Sequence, residues 1–348
     1  MLIENKLPKL QNIIVLRTFA IIAVVLYHCY CPWLEAWNWY KCEYRSLYSF
    51  IFETVLVGRM PLFVCVSGYL FSHLYLDRGK YHEFGNFLQN KIKRLLVPCM
   101  LFTGLMCLIL QLNYVENIVG YGFHLWFLKM LFFCFMTTWL CAKYIHQIKL
   151  DIIAICISII MMFISMPKFL GIGQYFKYYF FFLGGYMLYK YRYQLKFLYN
   201  KYFATLLMTF FTLICIICAW RYLAQPQLAN GDIIHLDKVV MICRMLLRPL
   251  TILIAFIIVD FYLKHNTTLV NTFDHMNKLS YGIYLFHMLF LQIIHKYYFS
   301  YTQSVCEIHY IISPIIFFII ILSLSILFQG WRMRFNSNSV KNSPDYVK

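Results

Sequence analysis

Apolar runs of about 20 residues recur from one end of this 348-residue chain to the other, with no soluble-looking block between them. A transmembrane helix needs about 20 mostly apolar residues to cross the hydrocarbon core of a bilayer. Hydrophobic residues make up 62% of the chain and charged residues 13%, whereas soluble domains are about 45–50% apolar and about 25% charged. The chain has too little polar surface to cover a soluble globule. We therefore predict an all-α, polytopic membrane protein.

Ten runs are long enough to be read as spans. They cover residues 12–31, 49–73, 95–112, 123–142, 150–166, 175–191, 202–222, 239–262, 279–296 and 309–329. The first run follows a basic start, as in a signal peptide, but Arg17 interrupts it and no small-x-small cleavage site follows. We therefore expect a retained first helix, a single transmembrane domain over 12–330, and tails at 1–11 and 331–348.

The distribution of lysine and arginine predicts the orientation. With the N-terminus inside, nineteen of them fall in inner segments and five in outer ones. The inner residues are Lys6, Lys9, Arg78, Lys80, Lys91, Lys93, Arg94, Lys143, Lys149, Lys190, Arg192, Lys196, Lys201, Lys264, Lys278, Arg332, Arg334, Lys341 and Lys348. The outer residues are Lys41, Arg45, Lys168, Arg221 and Lys238. By the positive-inside rule, both termini are predicted to be cytoplasmic.

The net charge of +17 does not indicate nucleic-acid binding. The basic residues sit between apolar runs, and no basic stripe or nucleic-acid module is visible. Most of the cysteines lie inside apolar runs, where they act as small hydrophobes. Cys29, Cys31 and Cys42 cluster near the outer end of the first helix, but spacing alone does not establish a Cys31–Cys42 disulfide. No histidine or acidic residue is spaced with them as zinc requires, so no metal is predicted.

The first predicted helix carries two ionisable residues, Arg17 and His28. Such residues are costly inside a bilayer, so they normally face the bundle interior and mark functional sites. Their interval of eleven residues is almost three helical turns, which places both on one face and roughly 16 Å apart. A cavity wall could thus carry a cation near the cytoplasm and a base deeper in. The helix alone equally allows Arg17 to snorkel and His28 to bond at the interface.

Five segments resemble, in order, the signatures of the membrane-bound acyltransferase 3 family. LRTFAIIAVVLYH (16–28) is similar to the family's first helix, with its Arg, ten residues and His. The other four are GRMPLFVCVSGYLF (58–71), KIKRLLVP (91–98), HLWFL (124–128) and YGIYLFH (281–287), with FFFLGGYML (180–188) as a weaker match. The family often has arginine where this chain has Lys91, and lysine lacks the planar fork for bidentate phosphate contact. We expect a stand-alone version, without the periplasmic hydrolase-like domain of some relatives.

The resemblance implies an O-acyltransferase of the bacterial inner membrane. It implies transfer of an acyl group, most often acetyl, from cytoplasmic acyl-CoA to a hydroxyl of a surface carbohydrate or lipid-linked sugar. His28 would be the base on that hydroxyl. Arg17, Lys91, Lys93 and Arg94 would bind the donor phosphates. The three residues at 91–94 are equally well explained as topogenic charges.

Three further residues are weaker candidates for contacts with the substrate or the oxyanion. Ser67 would donate to the developing oxyanion, although Ser67-Gly68 also suits a helix-packing patch. His124 would line the cavity mouth or face the interface. His287 lies mid-span, where an interhelical hydrogen bond is the alternative to catalysis.

Two other classes of membrane protein stay open. A transporter or flippase for a lipid-linked sugar also buries polar residues, but it would not consume acyl-CoA and gives no reason for the Arg17–His28 spacing. An assembly or structural membrane protein should tolerate His28→Ala. The acyl group, the acceptor and the oligomeric state stay open too, as do the partners of the charges in or near spans: Glu53, Arg59, Arg244, Arg248 and Asp260.

Overall fold

The fold is all-helical, as predicted. A computed structural model of the chain describes residues 10–34, 45–120, 122–144, 148–167, 169–223, 237–263, 267–301 and 310–341, and these contain no strand. The described residues form two compact units. One holds the chain up to Arg59 and from Leu198 onward, and the other runs from Met60 to Phe197.

The α-helices of the described residues are numbered here in chain order. They are α1 (Gln11–Tyr30), α2 (Ser46–Phe50), α3 (Arg59–Leu76), α4 (Phe84–Lys91), α5 (Val97–Leu110), α6 (Tyr114–Val119), α7 (Trp126–Tyr144), α8 (Ile148–Met161), α9 (Ile172–Lys190), α10 (Lys201–Leu223), α11 (Lys238–Ile258), α12 (Thr267–Tyr301) and α13 (Ile312–Lys341). Single π-helical stretches extend α2 (Ile51–Val55), join α4 to α5 (Ile92–Leu96) and extend α11 (Val259–Leu263).

Every predicted span coincides with a helix, but not every helix is apolar and long enough to cross a membrane. Seven stretches of the described chain are apolar and long enough to cross a membrane: Gln11–Leu34, Ser46–Leu76, Phe84–Leu110, Tyr114–Lys143, Lys201–Tyr222, Lys238–Phe261 and Ile312–Gly330. Helix α8 has 14 residues, about 21 Å, which is short of the hydrocarbon core. In α12, His287, Gln292 and His295 interrupt the apolar run. The count of about ten spans and the sides of the termini remain predictions.

In the first unit, α1 packs along α12 and α13, and α12 also packs on α13. A second cluster joins α10, α11 and the end of α2 around a buried apolar core. That core consists of Val57, Ile214, Cys218, Tyr222, Val240, Cys243, Leu247, Leu250 and Ile254. The start of α11 is fixed by Asp237, whose carboxylate accepts hydrogen bonds from the backbone N–H of Val239 and Val240 and from Arg221 at the end of α10.

In the second unit, α3 and α9 approach each other closely at two glycines. A Cβ atom built on Gly68 would lie 2.0 Å from the carbonyl oxygen of Phe182, and one on Gly185 would lie 1.9 Å from that of Cys65. Only glycine permits such backbone contact, which is how small residues bring helices together in membranes. Beside this contact, Phe71 lies at the centre of an aromatic cluster that includes Phe87, Phe135 and Phe182.

Candidate functional site

The principal polar contact in the interior of the first unit joins His28 on α1 to His287 on α12. Their Nδ1 and Nε2 atoms are 2.9 Å apart. The ring planes differ by 6° and the centroids are 5.1 Å apart, which is about the nitrogen–nitrogen distance plus two ring radii. The two imidazoles therefore lie end to end in a hydrogen bond and not face to face. The sequence predicted both residues as candidates but did not predict that they meet.

The burial of His287 is complete, while His28 is half-buried. The second ring nitrogen of His287, Nδ1, lies 3.0 Å from the backbone carbonyl oxygen of Ile283, one turn earlier in α12. Further along the same helix pair, the Thr18 hydroxyl of α1 lies 3.1 Å from the carbonyl oxygen of Phe273. The same hydroxyl lies 2.9 Å from the carbonyl oxygen of Ile14 in its own helix, so its one proton is shared between two acceptors. The two polar contacts between α1 and α12 are about three turns apart along α1.

Arg17 lies on α1 toward the end that is predicted to be cytoplasmic. The helix is continuous from Gln11 to Tyr30, so the predicted distance of roughly 16 Å between Arg17 and His28 holds along its axis. Ile21 and Val24, between them on the same face, are buried. Arg17 itself is half-buried and makes no hydrogen bond or ion pair with the residues that the structure describes. A guanidinium in this position is suited to an anionic ligand.

A second polar cluster surrounds the C-terminal end of α1, beside His28. The Glu53 carboxylate lies 3.3 Å from the Arg59 guanidinium, which stacks 3.6 Å above the Tyr27 ring. The Tyr27 hydroxyl bonds to Glu53, and the buried Cys31 bonds to Tyr27. Glu53 lies in the π-helical stretch after α2, and such stretches are frequent at functional sites. These contacts give partners to two charges whose partners the sequence left open.

The other three charges that the sequence places in or near spans, and Cys31, have different surroundings. Arg244 donates to the hydroxyl of Tyr222. Asp260 lies in the π-helical stretch after α11 and Arg248 lies within α11. Cys31 is buried in the short helical turn after α1. Cys42, whose pairing with Cys31 the sequence leaves open, lies outside the described residues.

The basic residues at 91–94 of the second unit differ in their surroundings. The Lys91 ammonium lies 3.4 Å from the centroid of the Phe135 ring, 5.0 Å from that of Tyr81 and 5.4 Å from that of Phe87. Such contacts stabilise a cation among apolar side chains. Lys93 and Arg94 are exposed, so these two have the open surface that a phosphate ligand needs.

The structure gives Ser67 and His124 local surroundings in the second unit. The Ser67 hydroxyl donates to the carbonyl oxygen of Phe63, 2.9 Å away in the same helix, and its neighbour Gly68 is the close contact with α9. The packing interpretation therefore accounts for the Ser67-Gly68 pair. His124 is buried in the short helical turn Phe123–Leu125.

Among the described residues, no group of three or more histidine, cysteine, aspartate or glutamate side chains could hold a metal ion. Within the first unit, the arrangement consists of the half-buried Arg17 cation, a histidine pair and a carboxylate–guanidinium pair. A neutral histidine can act as a general base when the lone pair of a ring nitrogen faces a substrate hydroxyl.

Comparison with known proteins gives one match. The acyltransferase 3 family model, whose description is an acyltransferase domain, matches residues 10–329. No curated protein and no solved structure matches this chain.

Proposed function

Because this chain belongs to the acyltransferase 3 family, a family of membrane acyltransferases, we propose that it is an O-acyltransferase of the bacterial inner membrane. The donor is cytoplasmic acyl-CoA, with acetyl-CoA as the first candidate. The acceptor is a hydroxyl of a surface or exported carbohydrate, free or lipid-linked. The observation that carries this proposal is the hydrogen-bonded pair of His28 and His287 in the interior of the first unit. His28 lies on the same helix as Arg17.

The reaction needs a base because a sugar hydroxyl is a poor nucleophile. Nε2 of His28 removes the hydroxyl proton as the oxygen attacks the thioester carbonyl carbon. The new carbon–oxygen bond forms, the carbon–sulfur bond breaks, and the CoA thiolate leaves. His28, now protonated, returns the proton to that thiolate, so the pair ends the cycle neutral.

Arg17 serves the donor and not the acceptor. The acyl-CoA headgroup carries several phosphate charges, and charge-assisted bonds from guanidinium to phosphate are strong and short. The lack of an acceptor for Arg17 among the described residues supports this role. Lys91, Lys93 and Arg94 of the second unit are proposed separately as contacts for donor phosphates because of their predicted cytoplasmic side. Lys93 and Arg94 are also exposed.

A flippase for a lipid-linked sugar is the competing function. It explains buried polar residues but gives no role to a base held in line by a second imidazole. The two functions differ in whether acyl-CoA is consumed.

The test compares surface polysaccharide from a deletion strain that carries wild type, empty vector, His28→Ala or His275→Ala. His275 is an exposed histidine on α12 and serves as the matched control. Ester-linked acyl groups are measured by NMR and protein levels by immunoblot.

We expect wild type and His275→Ala to restore acylation, and His28→Ala to fail at equal protein level. Equal acylation in all four strains, with acyl-CoA untouched by purified protein, would contradict the proposal and favour transport.

A further inference from the structure

We infer that His287 is a positioning residue that fixes the tautomer of His28 with the proton on Nδ1 and the lone pair on Nε2. This inference rests on the proposed function for its catalytic meaning, but the tautomer itself is a property of the contacts. Three atoms carry the argument: the Ile283 carbonyl oxygen, and the two nitrogens of His287 that bond on either side.

The positions of the protons follow from the carbonyl group of Ile283. A carbonyl oxygen only accepts hydrogen bonds, so Nδ1 of His287, 3.0 Å from the Ile283 oxygen, must carry a proton. A neutral imidazole has one proton, so Nε2 of His287 is then an acceptor. The hydrogen bond of 2.9 Å to His28 requires the proton to sit on Nδ1 of His28. Nε2 of His28 is left with the lone pair.

The reverse arrangement is disfavoured by burial. If His287 donated from Nε2, it would either present an Nδ1 lone pair to a carbonyl oxygen at 3.0 Å or carry both protons as a cation. The side chain is fully buried, and desolvation disfavours the charged form. The neutral, Nδ1-protonated form of His287 satisfies both of its nitrogens without that cost.

The consequence for catalysis is a base that is oriented before substrate arrives. When Nε2 of His28 takes the hydroxyl proton, the positive charge on its ring is stabilised through Nδ1–H by the lone pair of His287. A ring held in the wrong tautomer loses catalysis by up to about 10⁴-fold in the serine-protease triad. In this unit a second imidazole, and not a carboxylate, provides the acceptor.

The experiment combines a direct tautomer measurement with activity. Histidine nitrogens are labelled with ¹⁵N in purified full-length protein, and the His28 signals are assigned by their loss in His28→Ala. The variants are His287→Leu, which removes the acceptor, and His287→Gln, whose amide oxygen can reach the position of Nε2. His275→Leu is the control on the same helix.

In wild type we expect Nδ1 of His28 protonated and Nε2 unprotonated. His287→Leu should mix the tautomers and lower acyl transfer by about 10²-fold or more, while His287→Gln keeps the tautomer and most of the rate. A wild-type signal with the proton on Nε2 would overturn the inference. So would a rate that is unchanged when the tautomer changes.

The proposed function and the tautomer of His28 are tested independently of each other. If wild type transfers no acyl group to any hydroxyl acceptor, the proposed function is wrong, yet the ¹⁵N spectrum still decides the tautomer.

Discussion

At the scale of single residues, the account depends on which buried polar groups have partners inside the protein. His28 has His287, Glu53 has Arg59, and Ser67 has its own helix. Arg17 differs because no described residue accepts from it. A guanidinium inside a span is costly, and the proposed donor phosphate would supply the acceptor that Arg17 lacks among the described residues.

Arg17→Gln is expected to raise the KM for acyl-CoA by about 10-fold or more, since a charged hydrogen bond is worth about 1.5–3 kcal/mol. Arg17→Lys should recover part of the loss because it keeps the charge without the planar fork. Steady-state rates against acyl-CoA concentration check this. Lys278→Gln is the control, because its exposed ammonium pairs with Asp274; an equal effect in both variants would contradict a specific role for Arg17.

The same scale shows what residue patterns predict and what they do not. The Arg17–His28 spacing predicted the shared helix face, since helical periodicity fixes faces. It could not predict that His287 meets His28, because the two lie 259 positions apart and periodicity does not identify a partner. An ionisable residue in mid-span was the available signal for His287. The ring contacts of Lys91 depend on Phe135 and Tyr81 from other elements, and were likewise not predicted.

At the scale of helices, the sequence patterns predicted where the helices lie, and two further features determine how they pack. Glycines set the distance between α3 and α9, and an aspartate fixes the start of α11. The family-like segments SGYLF and LGGYM contain the glycines of the first feature. Their role in this chain is backbone contact.

Gly185→Ala is expected to destabilise the second unit by about 1–3 kcal/mol, the usual cost of overpacking. The new methyl would meet the Cys65 carbonyl oxygen at 1.9 Å. Gly184→Ala is the matched control, because no atom lies within 4 Å of its Cβ position. Thermal unfolding in detergent measures both. Equal melting temperatures for the two variants would rule out a close contact between α3 and α9.

The hydrogen bonds of Asp237 should make the stability of the connection between α10 and α11 depend on pH. Burial raises the pKa of its carboxyl, but hydrogen bonds from Arg221 and from the N–H groups of Val240 and Val239 outweigh this, so the pKa falls below its ordinary value of 3.8. A carboxyl with a lowered folded-state pKa stabilises the fold above its unfolded pKa and loses this effect as pH falls through the folded one.

We therefore expect Asp237→Asn, which keeps an acceptor but removes the charge, to melt below wild type at pH 7. The difference should narrow as the pH drops below 3.8. Glu83→Gln is the control, since Glu83 is exposed and precedes α4 without a capping bond from its side chain. A melting difference for Asp237→Asn that is constant with pH would show that the carboxylate charge does not stabilise this connection.

At the scale of the whole molecule, the sequence predicted the helices, and the number of crossings stays a prediction. All ten predicted spans coincide with helices, because apolar runs of this length favour no other structure in lipid. Seven stretches meet the length and hydropathy expected of a span. The polar residues that lower the hydropathy of α12, among them His287 and Gln292, are buried inside the unit. A mean hydropathy treats these buried side chains as if they faced lipid, which lowers the value for α12.

Whether the number of spans is even or odd can be measured, because it decides on which side of the membrane the C-terminus lies. Ten spans with a cytoplasmic N-terminus place the C-terminus in the cytoplasm, whereas seven place it outside. A fluorescent-protein fusion after residue 348 should therefore fluoresce, and an alkaline phosphatase fusion there should be inactive. The opposite pair of results would show an odd number of crossings.

The most direct test of the central claim measures acyl transfer by purified protein in lipid vesicles with radiolabelled acetyl-CoA and an extract of carbohydrate acceptors. Wild type and His275→Ala should form labelled ester with release of CoA. His28→Ala should lower kcat by about 10²–10⁴-fold, the range expected for loss of a general base. A His28→Ala enzyme within a few-fold of wild type would contradict the assignment of His28 as the base.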